Sequence, residues 1–227
     1  MLLFALAARL LYVSLAEPLS AQSDASGYDA AARRLIATGT YAFPVGKALW
    51  SDDAFREDAW AAYLDMPSNA WSMPGYSGFL AVVYRLFGAG SGRFAAVRVV
   101  QAVLGVATVV LVFLIADAGA GRRAAWTALA FNALYPPGYW AATYLLTETL
   151  FTLLLVGQVA LMVWAARSRR WVAYAFLGLA TAAAVYVTTT AGLRLLGLEE
   201  LLPARQERLQ LLAGGAVRGQ RVHVRPV

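Results

Sequence analysis

The sequence predicts an all-α, polytopic integral membrane protein, and three observations carry that prediction. The chain has 227 residues, of which 60% are hydrophobic and 14% charged, with a mean hydropathy of +0.59; soluble domains hold about 25% charged residues. Val99–Ala116, Ala124–Thr147, Thr149–Ala166 and Trp171–Leu193 contain no Asp, Glu, Lys or Arg, and each is near or above the roughly 18 residues that a spanning helix needs. The arginines cluster in the short breaks between these runs and not along one face. The net charge of +6 therefore reads as a topology signal, and a nucleic-acid partner is not expected.

The first run, Met1–Ala16, is expected to be a transmembrane anchor. A secretory signal peptide is the alternative, suggested by its shortness and the small residues at Ser20–Ser23. The missing basic n-region, Arg9 in mid-run and the spans that follow favour the anchor. Arg122 and Arg123 follow the second run, and Arg167, Arg169 and Arg170 follow the fourth. The positive-inside rule puts both clusters in the cytoplasm, so an even number of crossings separates them. Ala124 to about Tyr139 and Thr149–Ala166 supply that pair, with a turn expected at Pro136-Pro137-Gly138.

Residues 17–93 then form an extracytoplasmic loop, residues 94–190 hold transmembrane helices 2–5, and residues 191–227 form a basic C-terminal tail. The expected total is about five transmembrane helices in the cell membrane. The loop carries eight of the thirteen acids: Glu17, Asp24, Asp29, Asp52, Asp53, Glu57, Asp58 and Asp65. Ser23 to Gly39 reads as a short helix capped by Ser or Asp and stopped by glycine. Gly75–Gly88 is strongly apolar yet holds Arg85 and is too short to span, so it is expected to lie as an interfacial helix.

Chemistry is narrowed by what is missing. There is no cysteine, and His223 is the one histidine, which excludes disulfides, thiolate metal sites and Ser-His-Asp catalysis. Asp24 is expected immediately above the membrane. Glu148 is the one acid between Ala118 and Leu198, at the start of a helix on the same side. Two carboxylates converging there suit deprotonation of an acceptor hydroxyl, or a divalent cation held by Asp24 and Glu148. The plainer readings are a helix N-cap for Asp24 and a first-turn acid favoured by the helix dipole for Glu148. Asp52, Asp53, Glu57 and Asp58 read as a solvated loop face, Arg98 as a contact for a lipid or substrate phosphate, and Trp50, Trp60, Trp71 and Trp140 as an interfacial belt.

The order of motifs adds a resemblance. Arg9-Leu-Leu-Tyr12 is followed by Ser-Asp24-Ala, Tyr28 and Gly39, then Pro74-Gly-Tyr76, Leu86-Phe-Gly88, Val97-Arg98 with Gln101, Arg122-Arg-Ala124, Tyr135-Pro136 and Leu-Thr-Glu148-Thr-Leu-Phe151. Over roughly Met1 to Thr188 this resembles the N-terminal part of the GT-C glycosyltransferases, in the branch of protein O-mannosyltransferases and lipid A aminoarabinose transferases. The resemblance implies a polyprenyl-phosphate sugar donor, a protein or glycolipid acceptor, and transfer outside the cytoplasm. It implies that Asp24 is the catalytic base and that Glu148 is the second acid beside it. Tyr28, Lys47 and Arg98 become substrate-binding candidates, the last two for the donor phosphate.

Ser72-Met73 replaces the Glu-Lys pair that the aminoarabinose branch carries before its proline, so that sugar is not implied. Members of the family have about a dozen helices, and the tail beyond Thr190 lacks the expected continuation, which suggests a truncated or frameshifted product or an amphipathic peripheral tail. The rival class is a non-catalytic membrane protein, such as a degenerate homologue, a transporter subunit or a partner. Transporters place polar residues in mid-helix, whereas here the acids gather at one surface.

Overall fold

The computed structural model describes residues 1–16, 23–44, 72–168 and 170–187, all within the first of the chain's two units, Met1–Thr189. The described residues form helices α1 (Leu2–Leu15), α2 (Ser23–Thr38), α3 (Pro74–Phe87), α4 (Arg93–Ala120), α5 (Arg122–Ala133), α6 (Pro136–Ala141), α7 (Glu148–Ser168) and α8 (Trp171–Val187), and no strand occurs among them. The 28 residues of α4 and the 21 of α7 reach about 42 and about 32 Å, enough to cross a hydrocarbon core of roughly 30 Å. Their most apolar windows have mean hydropathies of 2.7 and 2.0 but are only 22% and 11% buried. A core helix of a soluble protein that apolar would be enclosed, so lipid must cover what the protein leaves bare. Leu3, Phe131, Trp171 and Leu179 are exposed in the same way. This is an all-α membrane fold.

Side-chain contacts give each helix its direction. Leu2 and Leu3 share a groove with Phe113 of α4, whereas Arg9 lies against Gly105, nearer the start of α4. α1 and α4 are therefore antiparallel. Small residues allow this close approach, with Ala5 of α1, Val109 of α4 and Leu129 and Ala133 of α5 in one buried cluster. α4 and α7 run parallel: Arg98 donates to the Thr143 carbonyl near the start of α7, Leu111 packs over Gly157, and Arg167 donates to the Ala118 carbonyl. α8 returns, so that Val187 joins Tyr76 and Leu80 in a second cluster.

The described chain thus runs along the bundle five times in alternating directions, through α1, α4, α5 with α6, α7 and α8. Arg122, Arg123, Arg167 and Arg170 collect at one end. Asp29 and Glu148 lie at the other, where Asp29 pairs with Arg93 at the start of α4.

Most expected helices appear near their predicted bounds. Ser23–Thr38 ends at Gly39, whose φ of 70° suits glycine. Tyr28 and Leu35 face the α3 cluster, so a neighbouring helix holds this face. Pro74–Phe87 ends at Gly88, with its N–H bonded to the Tyr84 carbonyl at 2.8 Å.

α4 begins at Arg93, beside the expected boundary at 94, and its charged first turns have polar partners in Asp29 for Arg93 and the Thr143 carbonyl for Arg98. One run differs from expectation. The run after Arg123 is divided, and the break falls before the proline pair and not across Pro136-Pro137-Gly138. Tyr135 is extended, with φ −69° and ψ 109°, as a residue preceding proline prefers. Pro136 then opens the six-residue α6, where a missing N–H costs nothing. α5, with 12 residues, reaches only about 18 Å.

Candidate active site at the acidic end of the bundle

Three layers of side chains build this end. In the first, Asp29 of α2 accepts from Arg93 Nε at 2.9 Å and Nη2 at 3.2 Å, and from the Tyr84 hydroxyl at 2.7 Å. Both members of the pair are buried, at 6% and 3% side-chain exposure. Paired and further hydrogen-bonded, they avoid the penalty of an isolated buried charge and tie α2 to α3 and α4.

The second layer is aromatic. The Tyr28 ring lies 5.4 Å from Phe43 and 5.0 Å from Tyr76, both edge-on, the preferred approach for ring quadrupoles. Tyr41 donates to the Ser72 carbonyl at 3.1 Å, which holds the segment after α2 beside the entry to α3.

The third layer is polar and centres on α4. Gln101 is fully buried. Its Oε1 accepts from the Tyr76 hydroxyl at 2.7 Å, and its Nε2 donates to the carbonyls of Tyr144 at 2.8 Å, Ala141 at 3.2 Å and Ala142 at 3.3 Å. Arg98 Nε donates to the Thr143 carbonyl at 2.9 Å. One amide and one guanidinium thereby satisfy the carbonyls of residues 141–144, which leave α6 with no helical acceptor role. That segment delivers Glu148 into the first turn of α7.

Asp24 occupies the first turn of α2, and both it and Glu148 are exposed. Burial pushes the Tyr28 hydroxyl above its ordinary pKa; a hydrogen bond with Ser72 opposes the shift, while Asp24 and then Glu148 reinforce it. Tyr28 thus has Asp24 of its own helix and Glu148 of α7 as minor electrostatic neighbours. Glu148 also raises the buried Tyr76 hydroxyl, after burial and Tyr28. Among the described residues no group of three or more His, Cys, Asp or Glu gathers for a metal ion. A cation at Asp24 and Glu148 would draw its remaining ligands from backbone, water or substrate oxygens.

Glu148 also edges a cavity of about 320 Å³ that includes Arg9, Asn132, Trp140, Thr149 and Thr152. Trp140, expected in an interfacial belt, is exposed at 47%, borders this cavity and stacks obliquely on Tyr144 at 4.7 Å. Lys47, Trp50, Trp60, Trp71 and the acids from Asp52 to Asp65 lie outside the described residues. Gln101 and Arg9 were quoted in the motif order without a role. Their signal is a strongly polar side chain inside an apolar helix, which is costly unless it is used.

The bundle thus brings Asp24, Asp29 and Glu148 to one end, together with Arg93 and Arg98, and pairs Arg122 with Asp117 at the other. The sequence profile of the dolichyl-phosphate-mannose-protein mannosyltransferase family matches residues 71–202. The chain belongs to that family, a group of membrane glycosyltransferases of the GT-C type. Tyr76, Arg98, Gln101 and Glu148 fall within the match, whereas Arg9, Asp24 and Tyr28 precede it. No curated protein and no solved structure matches the chain.

Proposed function

We propose that this protein transfers a sugar from a polyprenyl-phosphate donor to a hydroxyl of a protein or glycolipid acceptor, on the extracytoplasmic side of the cell membrane. The observation that supports the reading is the path from Tyr28 on the helix of Asp24, through its ring contact with Tyr76 and the Tyr76–Gln101 hydrogen bond, to the Tyr144 carbonyl just before Glu148. The end that holds the short inter-helix clusters Arg122-Arg123 and Arg167 to Arg170 is then cytoplasmic by the positive-inside rule, and the chain is multi-pass.

In this mechanism Asp24 takes the proton of the acceptor hydroxyl as its oxygen attacks the anomeric carbon. The bond from that carbon to the phosphate oxygen breaks on the opposite face, inverting the configuration. The polyprenyl phosphate leaves with the bonding pair, and nearby cations stabilise its charge. Glu148 orients the acceptor or shares a cation with Asp24, and Tyr28, one turn beyond Asp24 on α2, serves as a wall and hydrogen-bond donor. Arg98 supports Glu148 through Thr143, and Lys47 is a further candidate for the phosphate.

The test is transfer in proteoliposomes from a panel of polyprenyl-phosphate hexoses and pentoses. Wild-type protein should transfer one of them, and Asp24→Asn should lower the rate by about 10²-fold or more. Full activity in Asp24→Asn removes Asp24 as base. No transfer by the wild type from any donor returns the chain to the class of non-catalytic partners.

A further inference from the structure

The proline pair suits the start of α6, but it leaves the end of α5 short of donors. In a continuous helix the Asn132 carbonyl would accept from the N–H of residue 136, and the Ala133 carbonyl from that of residue 137. Both positions are proline, so neither N–H exists. Inside an apolar bundle a backbone carbonyl without a donor is costly, and a broken helix persists there where other groups supply what the backbone lacks.

Two side chains supply it. Arg9 of α1 donates from Nη2 to the Asn132 carbonyl at 3.4 Å, and that carbonyl also accepts from the Tyr135 N–H at 3.3 Å. The Tyr139 hydroxyl donates to the Ala133 carbonyl. The two donors brace each other, because the guanidinium carbon of Arg9 lies 4.7 Å from the centre of the Tyr139 ring. Tyr12, one turn further along α1, meets the same ring edge-on at 5.9 Å. Arg9 Nη1 donates to the Ala5 carbonyl of its own helix at 3.2 Å, and Gly105 leaves room for the guanidinium, since a Cβ there would lie 2.9 Å from Nε. A cation at the C-terminal end of α5 also meets the negative pole of that helix.

We infer that Arg9 and Tyr139 form a side-chain cap for the break between α5 and α6, and that through this cap they act as positioning residues for Glu148. The cap sets the direction in which α6 leaves Asn132 and Ala133. At its far end α6 is held by Gln101 and Arg98 at the carbonyls of residues 141–144, and Glu148 opens the next helix. Without the cap α6 is fixed at one end only, and Glu148 loses its set distance from Asp24. The part played in sugar transfer rests on the proposed function, whereas the cap itself does not.

The test uses the lack of cysteine in the chain. Asp24→Cys with Glu148→Cys, both at exposed positions, takes two nitroxide labels, and electron spin resonance of the full chain in nanodiscs should give one narrow distance distribution. Arg9→Met should broaden or shift it, Arg9→Lys should keep it narrow, and Tyr139→Phe should broaden it to a smaller extent. An unchanged distribution in folded Arg9→Met overturns the positioning role, and if that variant does not fold, an unchanged one in Tyr139→Phe does so. Melting curves judge the cap separately. Arg9→Met should lower the melting temperature by several degrees in wild type and by less beside Pro136→Ala, which restores an N–H for Asn132. Tyr139→Phe with Pro137→Ala should behave alike at Ala133, and equal losses with and without the prolines overturn the cap. In unlabelled protein that keeps both acids, Arg9→Met should lower transfer per folded molecule by about 10²-fold, the scale of a misplacement of roughly 1 Å. Full transfer there removes the role in the reaction, and a wild type that transfers no sugar removes the transfer reading while distances and melting curves still decide the cap.

Discussion

The Tyr76 hydroxyl donates to the side-chain oxygen of Gln101 at 2.7 Å, and through this bond the helix below the aromatic layer is joined to the segment that presents Glu148. The same Gln101 side chain donates on its other face to the carbonyls of Ala141, Ala142 and Tyr144. A continuous path therefore leads from Tyr28, by ring contact with Tyr76, to the start of α7.

Gln101→Leu keeps the volume but leaves the Tyr76 hydroxyl and several carbonyls buried without partners, at about 1–3 kcal/mol for each group that stays unsatisfied. Thermal unfolding in detergent should show the loss, together with reduced transfer as the 141–147 segment loosens. Gln101→Glu should be worse, because a carboxylate would then face backbone carbonyls. Tyr76→Phe removes one bond and keeps the ring stack, so its cost should be about 1 kcal/mol.

The two acids of α2 should separate cleanly. Asp29→Asn leaves Arg93 buried beside a neutral partner and should cost about 3–5 kcal/mol. Asp24 is exposed and its replacement by Asn should hardly change stability while lowering transfer by about 10²-fold or more. Unfolding curves and rates measured on both variants check this. A stable Asp29→Asn protein, or an unfolded Asp24→Asn protein, would contradict the two roles.

Tyr28 supplies a pH test. Burial, Asp24 and Glu148 all raise its pKa above the ordinary 10.0, and burial pushes Tyr41 up to about 12. Above pH 10 the unfolded chain loses these protons while the folded chain keeps them, so stability present below that pH is lost as pH rises. In protein carrying tyrosine labelled with 13C at Cζ, the resonance missing from Tyr28→Phe should titrate above 10. It should move back down in Glu148→Gln. A Tyr28 resonance that titrates normally, or ignores Glu148, would remove the electrostatic link between them.

Gly75 and Gly78 make a matched pair on α3. A Cβ at Gly75 would strike the Tyr186 carbonyl oxygen and lie 2.7 Å from its carbon, whereas nothing lies within 4 Å of one at Gly78. Gly75→Ala must push backbone away from backbone, and about 1–3 kcal/mol of stability should go with it. Gly78→Ala should be neutral or stabilising by up to about 1 kcal/mol, from helix propensity alone. Melting curves of the two variants in the same detergent check the contrast.

What the sequence determined by itself was set by local chemistry and solvent. Uncharged runs such as Thr149–Ala166 must lie in lipid whatever surrounds them. Gly39 and Gly88 stop their helices through their own backbone freedom, and the motif order from Pro74 to Phe151 pointed to the family. Clusters such as Arg122 and Arg123 indicated which ends of the helices lie together. Tertiary structure alone decided the rest, because it depends on partners distant along the chain. α4 reaches back to Arg93 since Asp29, 64 residues earlier, neutralises that charge. Asp24 and Glu148 share an end because Tyr76 and Gln101 lock α3 to the segment before α7. Arg9 stood in the sequence as a lone charge in an anchor helix, and only the fold gave its guanidinium the Ala5 and Asn132 carbonyls and the Tyr139 ring as neighbours.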